Sequence, residues 1–463
     1  MSSEPPNVPT TPHLRRVLGL PSLVLFGLAY MVPLTVFTTY GIVTEMTAGH
    51  LPGAYVVTLT AMLFTAYSYG RMVQAHPYAG SAYTYTQKSF GPHLGFMAGW
   101  ALLLDYVFLP MINYLVIGIY LNAAFEAIPA WVWVLAAIAL VTGLNVLGIQ
   151  MVSRMNFILI GIQVVFVVVF LAGAVRAIAG EPMPSIVEPF FSAGTDLSMI
   201  LGGAAILCLS FLGFDAVSTL SEETRDPRRR VPRAIMLTTL AGGVLFILIS
   251  YVGHLAFPDW QSFTDADSAA LDVMGHVGGA LLTAFFTASY ISGAFASAMT
   301  SQASVSRILY AMGRDGVLPK RFFGYVHPRF RNPVRATLAV GAISLVALVI
   351  SLELASAMVS FGALVAFSFV NLSVIKHYVV NEGRRTPQDL VKYGVVPAVG
   401  LLLCLWLWTS LSGLTFVVGL SWVGAGFVYL LGLTRMFTRR PPELHFNEVE
   451  PDDETEPAPA AQS

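Results

Sequence analysis

Two stretches decide how this chain folds: Gly27-Leu28-Ala29-Tyr30-Met31-Val32-Pro33-Leu34-Thr35 and Leu209-Ser210-Phe211-Leu212-Gly213-Phe214-Asp215-Ala216. Each lies in the middle of an apolar run long enough to cross a hydrocarbon core as a helix, which takes about 20 residues. Pro33 removes a backbone donor and clashes with the preceding turn, so the first run breaks there. Gly213 and the charged Asp215 interrupt the second run at the same depth. Interrupted spans at matching positions of two halves mark a transporter site at the bilayer midplane. Either interruption alone would be an ordinary proline kink or glycine contact, both common in membrane helices.

Outward from these stretches, the rest of the chain reads the same way. It has 463 residues, 56% of them hydrophobic and only 11% charged, against about a quarter charged in a soluble domain. An all-α, polytopic membrane protein is expected, with twelve spans near 20–46, 52–74, 91–122, 130–148, 153–178, 195–221, 232–256, 271–303, 335–352, 354–380, 393–411 and 413–437. The breaks fall in the first helix of each of two five-helix blocks, 20–178 and 195–380, with 393–437 added after them. Residues 1–19 form a polar N-terminal tail. Residues 438–463 are acidic and rich in Pro and Ala, and read as a disordered C-terminal tail.

Charge placement tests the count. With twelve spans, all 25 Lys and Arg except Arg176 fall on the side that holds both termini, which the positive-inside rule makes cytoplasmic. A miscounted span would scatter them. The opposite face carries Glu126, Glu181, Glu188, Asp259, Asp265, Asp267 and Asp272. Such a face draws cations in, or simply keeps loops soluble. Cys208 and Cys404 sit in apolar helix text as small hydrophobes. The nine histidines are scattered, without metal-ligand or catalytic spacing, so no cofactor and no metal is expected, nor an enzyme, a nucleic-acid partner or a sensor.

The charged residues within the spans carry the function. A carboxylate at mid-membrane costs about 2.5–3.5 kcal/mol and needs a partner or a task. Asp105 lies well inside the third span, and no basic residue lies at its depth. An incoming cation would supply the partner; a proton relay, or a neutral Asp bonded to a neighbouring helix, are the other readings. Tyr106 beside it offers a cation–π face or mere packing, and Asn113 shares the Tyr106 side of the helix. Asp215 either faces the substrate or accepts the amides freed at the break. Glu222 and Glu223 precede Arg225-Asp226-Pro227-Arg228-Arg229-Arg230, as a gate ion pair or as a solvated helix end. Thr300 and Ser301 are hydroxyls able to ligate sodium, although any transporter helix can hold such a pair.

These features resemble the amino acid–polyamine–organocation superfamily. The text that carries the likeness is Ser210-Phe211-Leu212-Gly213-Phe214-Asp215 and Ser306-Arg307-Ile308-Leu309-Tyr310-Ala311-Met312-Gly313-Arg314-Asp315-Gly316. Within the superfamily, bacterial putrescine importers are most similar, through Ala79-Gly80-Ser81-Ala82-Tyr83-Thr84-Tyr85, Leu104-Asp105-Tyr106-Val107-Phe108-Leu109-Pro110-Met111-Ile112-Asn113, Ser221-Glu222-Glu223-Thr224 and Phe361-Gly362-Ala363-Leu364-Val365-Ala366-Phe367. The resemblance implies a LeuT-type 5+5 inverted repeat in a bacterial inner membrane, and proton-driven uptake of putrescine. It also implies that Asp105 and Tyr106 lie beside the cationic end of the substrate. Two expected aromatic gates fall at Leu209 and Ser301, neither of them aromatic. A lysine that titrates in some members is matched by Gln163, which leaves Asp215, Glu222 and Asp105 as candidates for proton coupling.

At the first break, amino acid permeases of the superfamily have bare glycine amides that bind a substrate carboxylate. Val32-Pro33-Leu34-Thr35 is poorly built for that, which favours a substrate without one. A putrescine-like diamine is the expectation, held at one end by Asp105 and Tyr106 and at the other by carbonyls of Tyr30, Met31 and Ser210, with Phe211 alongside. An amino acid permease or an amine exchanger of the same fold is the alternative.

Overall fold

The structure is a computed structural model that describes residues 18–77, 81–147, 150–179, 185–192, 196–314, 316–328 and 332–441. Both expected tails lie largely outside these residues, as do Ala79, Gly80, Glu181, Asp315, Arg329 and Arg331; the side chains of 150–160 and of Glu222 are likewise outside the description. Among the described residues, sixteen α-helices follow one another. They are α1 Leu20–Met31, α2 Tyr40–Met46, α3 Leu51–Ala75, α4 Ser81–Phe90, α5 Pro92–Ala124, α6 Ala130–Leu147, α7 Gln150–Ile178, α8 Leu197–Leu207, α9 Pro227–Ala256, α10 Ala270–Arg314, α11 Lys320–Phe323, α12 Val334–Ile343, α13 Leu352–Val374, α14 Pro387–Asp389, α15 Val396–Thr409 and α16 Gly413–Leu433. No strand occurs among the described residues; one isolated bridge pairs Leu18 with Thr224.

Eleven helical segments among the described residues are long and apolar enough to cross a bilayer. Backbone groups have no water to bond in lipid, so helices that satisfy them internally are the form such text must take. The segment expected as a ninth span, Val334–Leu348, is apolar but shorter, its last turn a 3-10 helix from Ser344 to Leu348. The eighth expected span is longer than anticipated and runs on to Arg314, with a non-helical kink at Gly279 (φ 62°). α4 was not anticipated as a helix at all. Its text, Ser81-Ala82-Tyr83-Thr84-Tyr85-Thr86-Gln87-Lys88-Ser89-Phe90, is too polar to span, yet it packs on α5 and α13.

α5 stands at the centre, touching α4, α6, α10, α13 and α16. In lipid the hydrophobic effect does not drive helices together, so close approach through small residues matters more. Gly362 of α13 shows this: a Cβ there would stand 2.7 Å from the Ala101 carbonyl and 3.0 Å from the Asp105 amide. That approach fixes the α5 turn that carries Asp105. α16 is pinned to the same helix by reciprocal indole bonds, Trp100 Nε1 to the Trp422 carbonyl at 3.0 Å and Trp422 Nε1 to the Trp100 carbonyl at 2.9 Å.

Candidate substrate-binding site

Both interruptions are present as backbone geometry. α1 ends where Val32 turns to φ 55°, ψ 106°, and the chain continues as a 3-10 helix, Pro33–Phe37, before α2. A β-branched residue at positive φ is a backbone outlier. The distortion thus sits one residue ahead of Pro33, because the proline ring bars its predecessor from helical φ/ψ. α8 passes into a 3-10 turn, Cys208–Phe211, then opens at Leu212 (ψ 126°) and Gly213 (φ 129°) before a second 3-10 segment, Ala216–Glu223. Only glycine adopts that φ without strain.

The two breaks meet. A Cβ on Gly213 would stand 2.9 Å from the Met31 amide nitrogen, 3.0 Å from the Tyr30 ring and 3.1 Å from the Gly27 carbonyl. The Asp215 carboxylate accepts the Gly213 amide at 3.1 Å, with the Asp215 and Ala216 amides alongside. The Met31 carbonyl accepts the Thr35 hydroxyl at 2.7 Å.

Asp105 faces this junction from α5. It is 4% exposed, so it points away from lipid, and its Oδ1 has no hydrogen-bond partner among the described residues. Asp105 and Asp215 lie within electrostatic reach of each other, and Tyr30 and Tyr106 within reach of both. Two buried acids, two phenols and the two interrupted backbones therefore converge on one region. An unpartnered carboxylate oxygen in a water-poor site is costly unless something neutralises it.

The other sequence candidates are placed differently. Asn113 is half-buried and donates to the Leu109 carbonyl and to Ser297 Oγ of α10, so its amide ties two helices. Ser210 is fully buried, its hydroxyl 3.2 Å from that of Tyr55. Phe211 packs edge-on against Phe246 of α9. Thr300 and Ser301 donate to carbonyls of their own helix, Ala296 and Ser297. The Glu223 carbonyl accepts the Leu18 amide at 3.0 Å, and Leu18 in turn accepts the Arg225 amide, so the start of α1 is strapped to the end of the 216–223 segment. Arg229 lies 4.0 Å from Asp226, both exposed. Gln163 is 2% exposed against Gly293 of α10. On the expected outer face, burial raises the Asp267 carboxyl above the ordinary carboxylate range, and Asp265, Glu353 and Glu45 add to the effect.

One part of the site escaped the sequence reading. Within electrostatic reach of Asp215, Tyr69 of α3 stands edge-on to Tyr85, Phe214 and Phe367, with ring centroids 5.6–6.0 Å apart. The Tyr69 hydroxyl lies beside Ser81 and that of Tyr85 beside Ser218, neither completing a well-formed hydrogen bond. The signal was the tyrosine-rich text of α4, which spacing alone could not connect to α3 or α13.

The profile of the amino acid permease family matches residues 22–435. This chain belongs to that family. Similar proteins include the low-affinity putrescine importer PlaP of Escherichia coli, 44% identical over 438 residues, which cover 93% of this chain and 96% of PlaP. The branched-chain amino acid permease BcaP of Bacillus subtilis is 28% identical, over 90% of this chain and 92% of its own length. The methylthioribose transporter of the same organism is 27% identical, over 90% and 93%. The permease is thus a multi-pass membrane transporter and not an enzyme, and the converging breaks lie wholly inside the matched region.

Proposed function

We propose that this permease imports putrescine or a similar small polyamine across a bacterial inner membrane by proton symport, with both termini cytoplasmic. The observation that carries the reading is Asp105: a buried acid with an oxygen left unpartnered, facing two helix breaks. Identity of 44% to a putrescine importer over nearly the whole chain supports the substrate class. In this reading twelve spans form a 5+5 inverted repeat, 20–178 and 195–380, with 393–437 outside it. Val334–Leu348 is the ninth span, its short length accommodated by local thinning of the bilayer.

One ammonium of the diamine pairs with Asp105, with the Tyr106 face adding about 0.5–2 kcal/mol of cation–π attraction. The other meets carbonyls at the breaks, from Tyr30, Met31 and Ser210. Asp215 serves mainly to hold the second break, through the Gly213 amide. Glu222 and Glu223, with the arginines that follow, form the inner gate. Protons load on Asp105, Asp215 or Glu222, and Thr300 and Ser301 line the pathway without a metal. The first break lacks the bare amides a carboxylate would need, because Pro33 has none and the Val32 side chain flanks it. That favours a polyamine over an amino acid substrate.

Uptake of labelled putrescine into proteoliposomes tests this at two external pH values, with unlabelled amines and amino acids as competitors. Asp105→Asn removes a charge-assisted contact worth about 1.5–3 kcal/mol, so uptake falls roughly tenfold or more. Full uptake by a well-expressed Asp105→Asn variant would sink the assignment. An imposed proton gradient drives uptake into empty vesicles; silence there, with uptake restored by internal amine, identifies an exchanger.

A further inference from the structure

A separate cavity lies between the end of α3 and the start of α9. It holds about 470 Å³ and is walled by Tyr67, Gly70, Arg71, Pro232, Arg233 and Leu237. Its surface is almost all hydrocarbon, and Arg71 and Arg233 are among the residues that line it. Arg71 is half-buried, lies over the Tyr67 ring at 4.6 Å and donates to Gln74 at 3.0 Å; Arg233 is exposed. Neither has an acidic partner among the described residues. The floor is the point where the helices touch, since a Cβ on Gly70 would stand 3.1 Å from the Pro232 side chain. Arg228, Arg229 and Arg230 stand at the start of the same helix, α9, just ahead of Pro232 and Arg233.

We propose that this groove holds an anionic phospholipid, its phosphate between Arg71 and Arg233 and an acyl chain along Tyr67, Pro232 and Leu237. The two halves of the lining select this occupant together. A free anion would gain nothing from the apolar wall. A zwitterionic lipid would gain little from two unpaired arginines, whereas a basic pocket between helices at the membrane surface suits an anionic headgroup. α3 and α9 are extensively packed partners, and α9 also carries α1, so the bound lipid stabilises the pair that backs the first break.

Native mass spectrometry of the full chain with equal phosphatidylglycerol and phosphatidylcholine, and thermal unfolding in vesicles of each, test the site. Wild type binds phosphatidylglycerol preferentially and unfolds at higher temperature in it. Arg71→Gln and Arg233→Gln each weaken that binding roughly fivefold, from the attraction of one arginine to an anionic surface. Leu237→Trp, which fills the groove and keeps both arginines, weakens it as well. Arg321→Gln, outside the groove, changes nothing. Equal binding of the two lipids by wild type overturns the proposal. So does a double arginine variant that keeps the preference, or inorganic phosphate matching the stabilisation in neutral vesicles. Should the arginine variants not fold, the wild-type lipid ratio and Leu237→Trp decide it alone.

Discussion

The two helix breaks interrupt their spans by opposite chemistry. At the first, Pro33 withholds an amide, so acceptors outnumber donors there. The Thr35 hydroxyl meets one of them, the Met31 carbonyl. At the second, Gly213 frees an amide, and the protein supplies its own acceptor, Asp215. One break is short of donors and suits an ammonium. The other is already satisfied from within. The buried acids divide in the same way. Asp105 and Asp215 are 4% and 5% exposed, but only Asp215 is held by its own backbone. Burial alone therefore does not set Asp105 apart from Asp215; its unpartnered oxygen does.

The largest effect is expected where the breaks touch. Gly213→Ala forces an L side chain into φ 129° and places a methyl within 3.1 Å of two backbone atoms of α1, the Met31 nitrogen and the Gly27 oxygen. Backbone cannot yield as a side-chain tip can. Strain of about 1–3 kcal/mol plus the clash should lower the unfolding temperature in detergent and abolish uptake. A Gly213→Ala variant that unfolds like wild type would show that the two breaks separate more easily than their contact implies.

Next comes a difference of sign. Asp215→Ala strands the buried Gly213 amide, at about 1–3 kcal/mol, so stability and uptake fall together. Asp105→Asn relieves an uncompensated acid, so thermal stability holds or rises while uptake is lost. Differential scanning fluorimetry beside transport on the same preparations separates the two. If both substitutions destabilise equally, the distinction between a structural acid and a receptor acid is wrong.

How much of this was legible in the sequence follows from where the information lies. Spans, breaks and Asp105 are visible because lipid makes every polar residue in an apolar run conspicuous. α4 was missed because its Tyr and Thr text is neither apolar enough to span nor polar enough to be a loop. The Tyr69, Tyr85, Phe214 and Phe367 cluster joins four distant segments, and single-sequence periodicity carries no pairing information. The roles of Asn113 and Phe211 were ambiguous for a related reason. Helical spacing shows which residues share a face, but only the packed neighbour shows whether Asn113 is spent on Ser297 or Phe211 on Phe246.

The smallest effect concerns the strained residue of the first break. Val32 holds φ 55°, which costs an L residue roughly 1–2 kcal/mol, more for a β-branched one. Val32→Gly removes that strain but restores about 0.5–1 kcal/mol of chain entropy to the unfolded state, and it gives up the contacts of a half-buried side chain. These terms nearly cancel, so the variant should unfold within about 1 kcal/mol of wild type, although a Val-to-Gly change inside an ordinary helix is costly. Without the isopropyl group a carboxylate can approach the residue 32 amide and compete for its long 3.3 Å bond to the Ala29 carbonyl, so competition by amino acids against labelled putrescine should strengthen. Val32→Ala keeps most of the strain without opening the backbone and leaves selectivity unchanged. If Val32→Gly and Val32→Ala compete alike with amino acids, selectivity does not reside in the donor-poor first break, and the contrast between the two breaks loses its functional meaning.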